Sequence, residues 1–78
     1  MKTNTEMIQT NFRAALIDEI ITTRNKRGIT QKKLEEMSGV KQPVISKIEK
    51  GIVTPNLSTV LKILTALEKT LYISDMDS

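Results

Sequence analysis

The sequence predicts an all-α fold: a compact bundle of four to five short helices, closed by one short β-strand at the C-terminal end. Three observations carry this. Aliphatic residues recur at helical spacing along most of the 78 positions, residues able to cap helices precede the periodic runs, and glycines follow them. The length suits one domain. Cysteine, histidine and tryptophan are all absent. That removes disulfides, thiolate and imidazole metal sites, cysteine nucleophiles and histidine acid/base chemistry. The longest uncharged stretch, Gly51 to Leu61, contains Gly, Thr, Pro, Asn and Ser and falls far short of the roughly 18 apolar residues of a membrane span. The first ten residues lack the apolar core of a secretory signal, so a cytoplasmic location is expected.

Residues 1–10 offer only Met7 and Ile8 as apolar anchors and read as a flexible N-terminal arm. A first helix is expected from Asn11, its N-cap, to Arg27, with Phe12, Ala15, Leu16 and Ile20 at helical spacing and Gly28 as its stop. Thr30 can cap a second helix from Gln31 to about Ser38, whose Leu34 and Met37 face inward. Gly39 permits a left-handed turn, and a third helix begins near Gln42 with Pro43 in its first turn, where proline is tolerated. Ile45 and Ile48 point inward from it, and Gly51 ends it. Asn56 caps a fourth helix whose apolar face is read as Leu57, Val60, Leu61, Leu64 and Leu67. Then Thr70-Leu71-Tyr72-Ile73-Ser74 turns β-prone before an acidic end. A lone strand needs a partner, so Leu71, Tyr72 and Ile73 are expected to pair with a second copy across a dimer axis. The organisation is thus an arm at 1–10, a bundle at 11–69 and a strand with acidic tail at 70–78.

Charge is unevenly placed. Net charge is +3, yet Arg24 to Lys50 holds eight bases against three acids, and the remainder four against six. A basic centre suits a polyanion such as nucleic acid, or an anionic surface; a solvated basic face explains the charge alone equally well. The pattern of helices decides more. Two short helices joined at Gly39, the second with polar residues outside, make a helix-turn-helix unit over 31–50. Its second helix turns Lys41, Gln42, Pro43, Ser46, Lys47 and Lys50 away from Ile45 and Ile48, where a DNA major groove would sit.

These segments resemble a known family. Gly28-Ile29-Thr30-Gln31-Lys32-Lys33-Leu34 and Gly39-Val40-Lys41-Gln42-Pro43-Val44-Ile45-Ser46-Lys47-Ile48-Glu49-Lys50-Gly51 are similar to the phage-repressor (XRE/Cro-type, lambda-repressor-like) helix-turn-helix proteins. Pro55 to Leu64 looks like that family's next helix. The resemblance implies a homodimer on a palindromic operator in double-stranded DNA, read by the helix from Gln42 to Lys50. By position, Gln31 would bind a phosphate and brace Gln42, which would read an adenine through its amide. Lys41, Pro43, Ser46 and Lys47 would set base preference, while Lys32, Lys50, Thr54 and Asn56 would grip phosphates. The chain departs from the family at Glu35, where a small alanine is usual, and at Thr23, usually aliphatic. Glu35 is expected to turn towards water or a base such as Lys47.

Val40 to Ser46 and the terminal Leu71-Tyr72-Ile73-Ser74 are also similar to single-domain antitoxins of the HigA and HipB types, which repress their own operon and neutralise a toxin, a ribonuclease or a kinase. That implies a type II toxin–antitoxin pair and a toxin-binding surface outside Gln42 to Lys50. The alternative is an autonomous homodimeric regulator with no toxin partner. The residues suggest no enzyme, no cofactor and no metal site; Glu35 and Glu36, adjacent on one helix, diverge.

Overall fold

The computed structural model describes residues 4–75. It contains four helices: α1 (Asn4–Lys26), α2 (Gln31–Ser38), α3 (Gln42–Glu49) and α4 (Leu57–Ala66). α2 packs against both α3 and α4, and α1 against α3. Between them lies a core of Ile20, Leu34, Val40, Ile45, Ile48, Val60, Ile63, Leu64 and Leu67, flanked by the partly buried Leu16, Ile17, Ile29, Val53 and Ala66.

Local chemistry accounts for the ends. The Thr30 hydroxyl accepts from the Lys33 N–H at 3.0 Å, and Asn56 Oδ1 from the Thr59 N–H at 2.8 Å, so each satisfies an orphan donor of its helix. Gly39 stops α2 with φ 78°, a left-handed backbone costly to any residue with a Cβ, and its N–H donates to the Glu35 carbonyl. α4 ends in a two-bond cap, Glu68 N–H to Thr65 O at 3.0 Å and Lys69 N–H to Leu64 O at 2.7 Å. Here the left-handed position is filled by Glu68, φ 58°, instead of a glycine.

Four expectations are corrected. α1 starts at Asn4, so the helix runs through the expected boundary with an arm, and Asn11 lies inside it instead of capping it. Residues 71–75 have no regular structure, and no strand occurs among the described residues. Leu71, Tyr72 and Ile73 are exposed there, Ile73 fully, and among the described residues there is no strand to share ladder bonds with them. The buried face of α4 contains Ile63, with Leu57 and Leu61 left exposed. Met37, expected inward, is also exposed, as is Phe12 of the apolar spacing in α1. No described helix is long and apolar enough to cross a membrane.

Candidate nucleic-acid interface

α3 lies on the bundle by Ile45 and Ile48, each 1% exposed. At about 100° per residue, Gln42, Ser46, Lys50, Pro43 and Lys47 fall within an arc of about 140° on the opposite side. Pro43, Lys47 and Lys50 are exposed there, and Gln42 and Ser46 half-buried. The face is polar and cationic, convex, and eight residues long, dimensions that fit an α-helix entering a major groove.

Two polar assemblies set where this face points. On one side, the Arg24 guanidinium of α1 grips Glu49 of α3 with two parallel bonds, Nε to Oε2 at 2.8 Å and Nη2 to Oε1 at 2.9 Å, and donates a third to the Ile29 carbonyl at 2.9 Å. Both side chains are nearly enclosed, 13% and 8% exposed. A forked pair of this kind fixes direction as well as distance. Gln31, the first residue of α2, joins it, Nε2 donating to Glu49 Oε1 at 3.1 Å. Its amide is therefore steadied by Glu49, where the sequence suggested a link to Gln42.

On the other side stands Glu35. Its Oε1 accepts from the Gln42 backbone N–H at 3.3 Å and from Lys32 Nζ at 3.2 Å, and Lys41 Nζ lies 3.7 Å from Oε2. The carboxylate thus turns towards bases, as expected, but these are Lys32 and Lys41 and not Lys47. The Lys32 hydrogen bond pulls the carboxyl below its ordinary value, desolvation opposes this, and the Gln42 N–H and the two lysine charges add to the lowering. Thr23, at the other atypical site, is buried and donates its hydroxyl to Glu19 Oε1 at 3.4 Å.

The remaining sequence-selected residues lie around α3. Lys41, its N-cap, and Lys32 on α2 are exposed, as are Thr54 and Asn56 in the connector before α4. The Thr54 hydroxyl accepts from Arg13 Nη1 at 2.8 Å, which brings in a guanidinium that the sequence reading left out. Asn56 has its oxygen committed to capping α4. The basic centre is also smaller than composition implied: Arg24 is spent on Glu49, and Arg27 Nη1 on the Leu67 carbonyl at 2.6 Å. Arg24 and Glu49 went unselected because they are 25 positions apart. A signal existed, since Glu49 falls at the edge of the Ile45 and Ile48 arc, where a carboxylate needs a partner.

Two short helices at a glycine corner, the second held by its apolar side and presenting amide, hydroxyl and ammonium groups outward, define a helix-turn-helix unit. Comparison with known proteins agrees. A family model described as Helix-turn-helix matches residues 20–73, and the chain belongs to that family. It is 56% identical over 68 residues to an uncharacterized HTH-type transcriptional regulator of Haemophilus influenzae, covering 87% of this chain and 69% of the relative. Among solved structures it is similar to a chain of a toxin–antitoxin module from Streptococcus pneumoniae, with TM-score 0.84 and 47% identity, over 99% of this chain and 85% of the other.

Proposed function

We propose that the chain is a sequence-specific DNA-binding transcriptional repressor and the antitoxin of a type II toxin–antitoxin pair, repressing its own operon and neutralising a toxin. The observation that carries the DNA reading is the outward arc of Gln42, Pro43, Ser46, Lys47 and Lys50 on a helix anchored by Ile45, Ile48 and Glu49. In this reading Gln42 reads an adenine, with Lys41, Pro43, Ser46 and Lys47 setting the neighbouring preferences. Gln31, Lys32, Lys50, Thr54 and Asn56 hold phosphates, Asn56 through its amide N–H groups because its oxygen is taken. Two copies bind a palindrome with α3 elements about 34 Å apart, one helical turn of DNA. The exposed Leu71, Tyr72 and Ile73 support a dimer joined through the C-terminal segment.

Likeness to the pneumococcal module supports the toxin half. The second reading, an autonomous regulator, has the Haemophilus relative in its favour, since that protein is described as a transcriptional regulator. Recovery of the tagged chain from its own cells after nuclease treatment separates the two. A stoichiometric partner that arrests growth when expressed alone is expected; recovery of the chain alone, still shifting DNA, overturns the antitoxin reading. Because the toxin surface lies outside Gln42 to Lys50 in this reading, Gln42→Ala weakens the operator shift and leaves toxin capture unchanged. Truncation after Thr70, which keeps the Lys69–Glu19 pair, is expected to give monomers by light scattering.

A further inference from the structure

Glu35 stands where the α2 and α3 helices approach, and its carboxylate gathers three donors that all belong to the proposed DNA-reading end: Lys32 Nζ, Lys41 Nζ and the backbone N–H of Gln42. We propose that Glu35 is a positioning residue for DNA selectivity, holding the first residue of the recognition helix in place and keeping two lysine tips from binding phosphates indiscriminately. The inference rests on the repressor reading given above.

Two physical consequences follow from the geometry. First, α3 has no cap from its own N-cap residue: the Lys41 side chain makes no such bond. The donor at Gln42 is served instead from α2, so the position of Gln42 is set by the neighbouring helix. Second, both lysines are exposed, at 67% and 79% of the side chain, and would otherwise be free to bind any phosphate within reach. A carboxylate between them offsets their charge and repels phosphate, which weakens binding to any sequence alike. On a matching site alone, the charge-assisted hold on the Gln42 N–H keeps the first residue of α3 in the pose its base contacts need, which offsets part of that loss. The sequence-independent part of the affinity falls more than the sequence-dependent part, so discrimination rises.

Glu35→Gln separates this from simple capping, because a Gln oxygen still accepts the Gln42 N–H while the charge is lost. The measurement is affinity against salt for two duplexes, one carrying the DNA upstream of the chain's own coding region and one of random sequence. Glu35→Gln is expected to bind random duplex more tightly, to steepen its salt dependence by about one unit, and to lower the upstream-to-random ratio by about fivefold. In a Lys32→Gln, Lys41→Gln background the same exchange is expected to raise random-duplex affinity much less, because the two lysines it would release are gone. A Glu35→Gln chain matching the wild type on random DNA, or an undiminished effect in that background, overturns the proposal while the repressor reading stands. A wild type that does not prefer the upstream duplex overturns the repressor reading as well.

Discussion

The helix-turn-helix unit and the apolar rim at the opposite end of α1 are built from similar residues and held in different ways. In the unit, Leu34, Ile45 and Ile48 are 1% exposed or less, and polar bonds tie α1, α2 and α3 together. Thr30 caps α2, Ser38 Oγ donates to the Leu34 carbonyl and accepts from the Val40 N–H, and Arg24, Glu49 and Gln31 bind α1 to both short helices. At the rim, Ile8, Phe12, Leu57 and Leu71 border an open groove of about 650 Å³, with Phe12 56% and Leu57 65% exposed. Hydrophobic character therefore does not decide burial here. α1 carries apolar residues from Met7 to Ile21, but Met7, Ile8 and Phe12 are exposed while Leu16, Ile17 and Ile20 are partly or fully covered. Helices of eight residues have little stability of their own, and these two are the ones that receive the directional bonds.

The largest expected effect is at Glu49. Glu49→Ala leaves the Arg24 guanidinium enclosed without its partner, a loss of about 3–5 kcal/mol in urea unfolding. Leu34→Ala, a cavity at the centre, should cost about 2–5 kcal/mol, whereas Phe12→Ala at the rim should cost less than about 1 kcal/mol. Equal losses at Phe12 and Leu34 would mean that the rim is covered in solution.

Next in size are the two outward residues of α3. Gln42→Ala should lose about 1–3 kcal/mol on its preferred DNA and little folding stability, while Lys50→Ala should weaken all duplexes alike and reduce the salt slope by about one unit. Identical behaviour of the two on specific and random DNA would break the distinction between reading and gripping.

A smaller gain is expected at the end of α4. Glu68→Gly relieves a left-handed backbone and should raise stability by about 0.5–1.5 kcal/mol, seen as a higher melting temperature. The smallest effect is titration. Glu35 and Glu19 both have folded values below the ordinary 4.5, Glu19 through its hydrogen bond from Lys69 and that ammonium's charge. Groups lowered on folding add stability above the ordinary value and lose it as pH falls through the lowered one. Melting should therefore be flat above pH 4.5 from this cause and decline below it, with a shallower decline in a Glu19→Gln, Glu35→Gln chain.

The legible parts of the fold are those governed by neighbours in sequence. The caps at Thr30 and Asn56, the corner at Gly39 and the proline in the first turn of α3 each depend on a few adjacent residues, and α2 and α3 occur where those signals place them. α4 was legible as a helix but not in its rotation. Leu57, Val60, Leu61, Ile63, Leu64 and Leu67 are all aliphatic, and either of two overlapping stripes could have been the buried one; packing against α2 chose the one with Ile63. The outward side of α3 was readable because Ile45 and Ile48 leave one opposite arc. The fastening of Gln31 was not, because its partner Glu49 lies 18 positions away.

Sequence alone determined the helices of the helix-turn-helix unit, the caps at Thr30 and Asn56 and the chemistry on the outer side of α3, since propensity, capping and helical period act over a turn or two. Tertiary structure decided what lies between elements: the Arg24–Glu49–Gln31 fastening, the gathering of Lys32, Lys41 and Gln42 around Glu35, the buried stripe of α4 and the exposed rim. Each of these depends on surfaces that meet only after the chain has folded, and on which donor then finds an acceptor within reach.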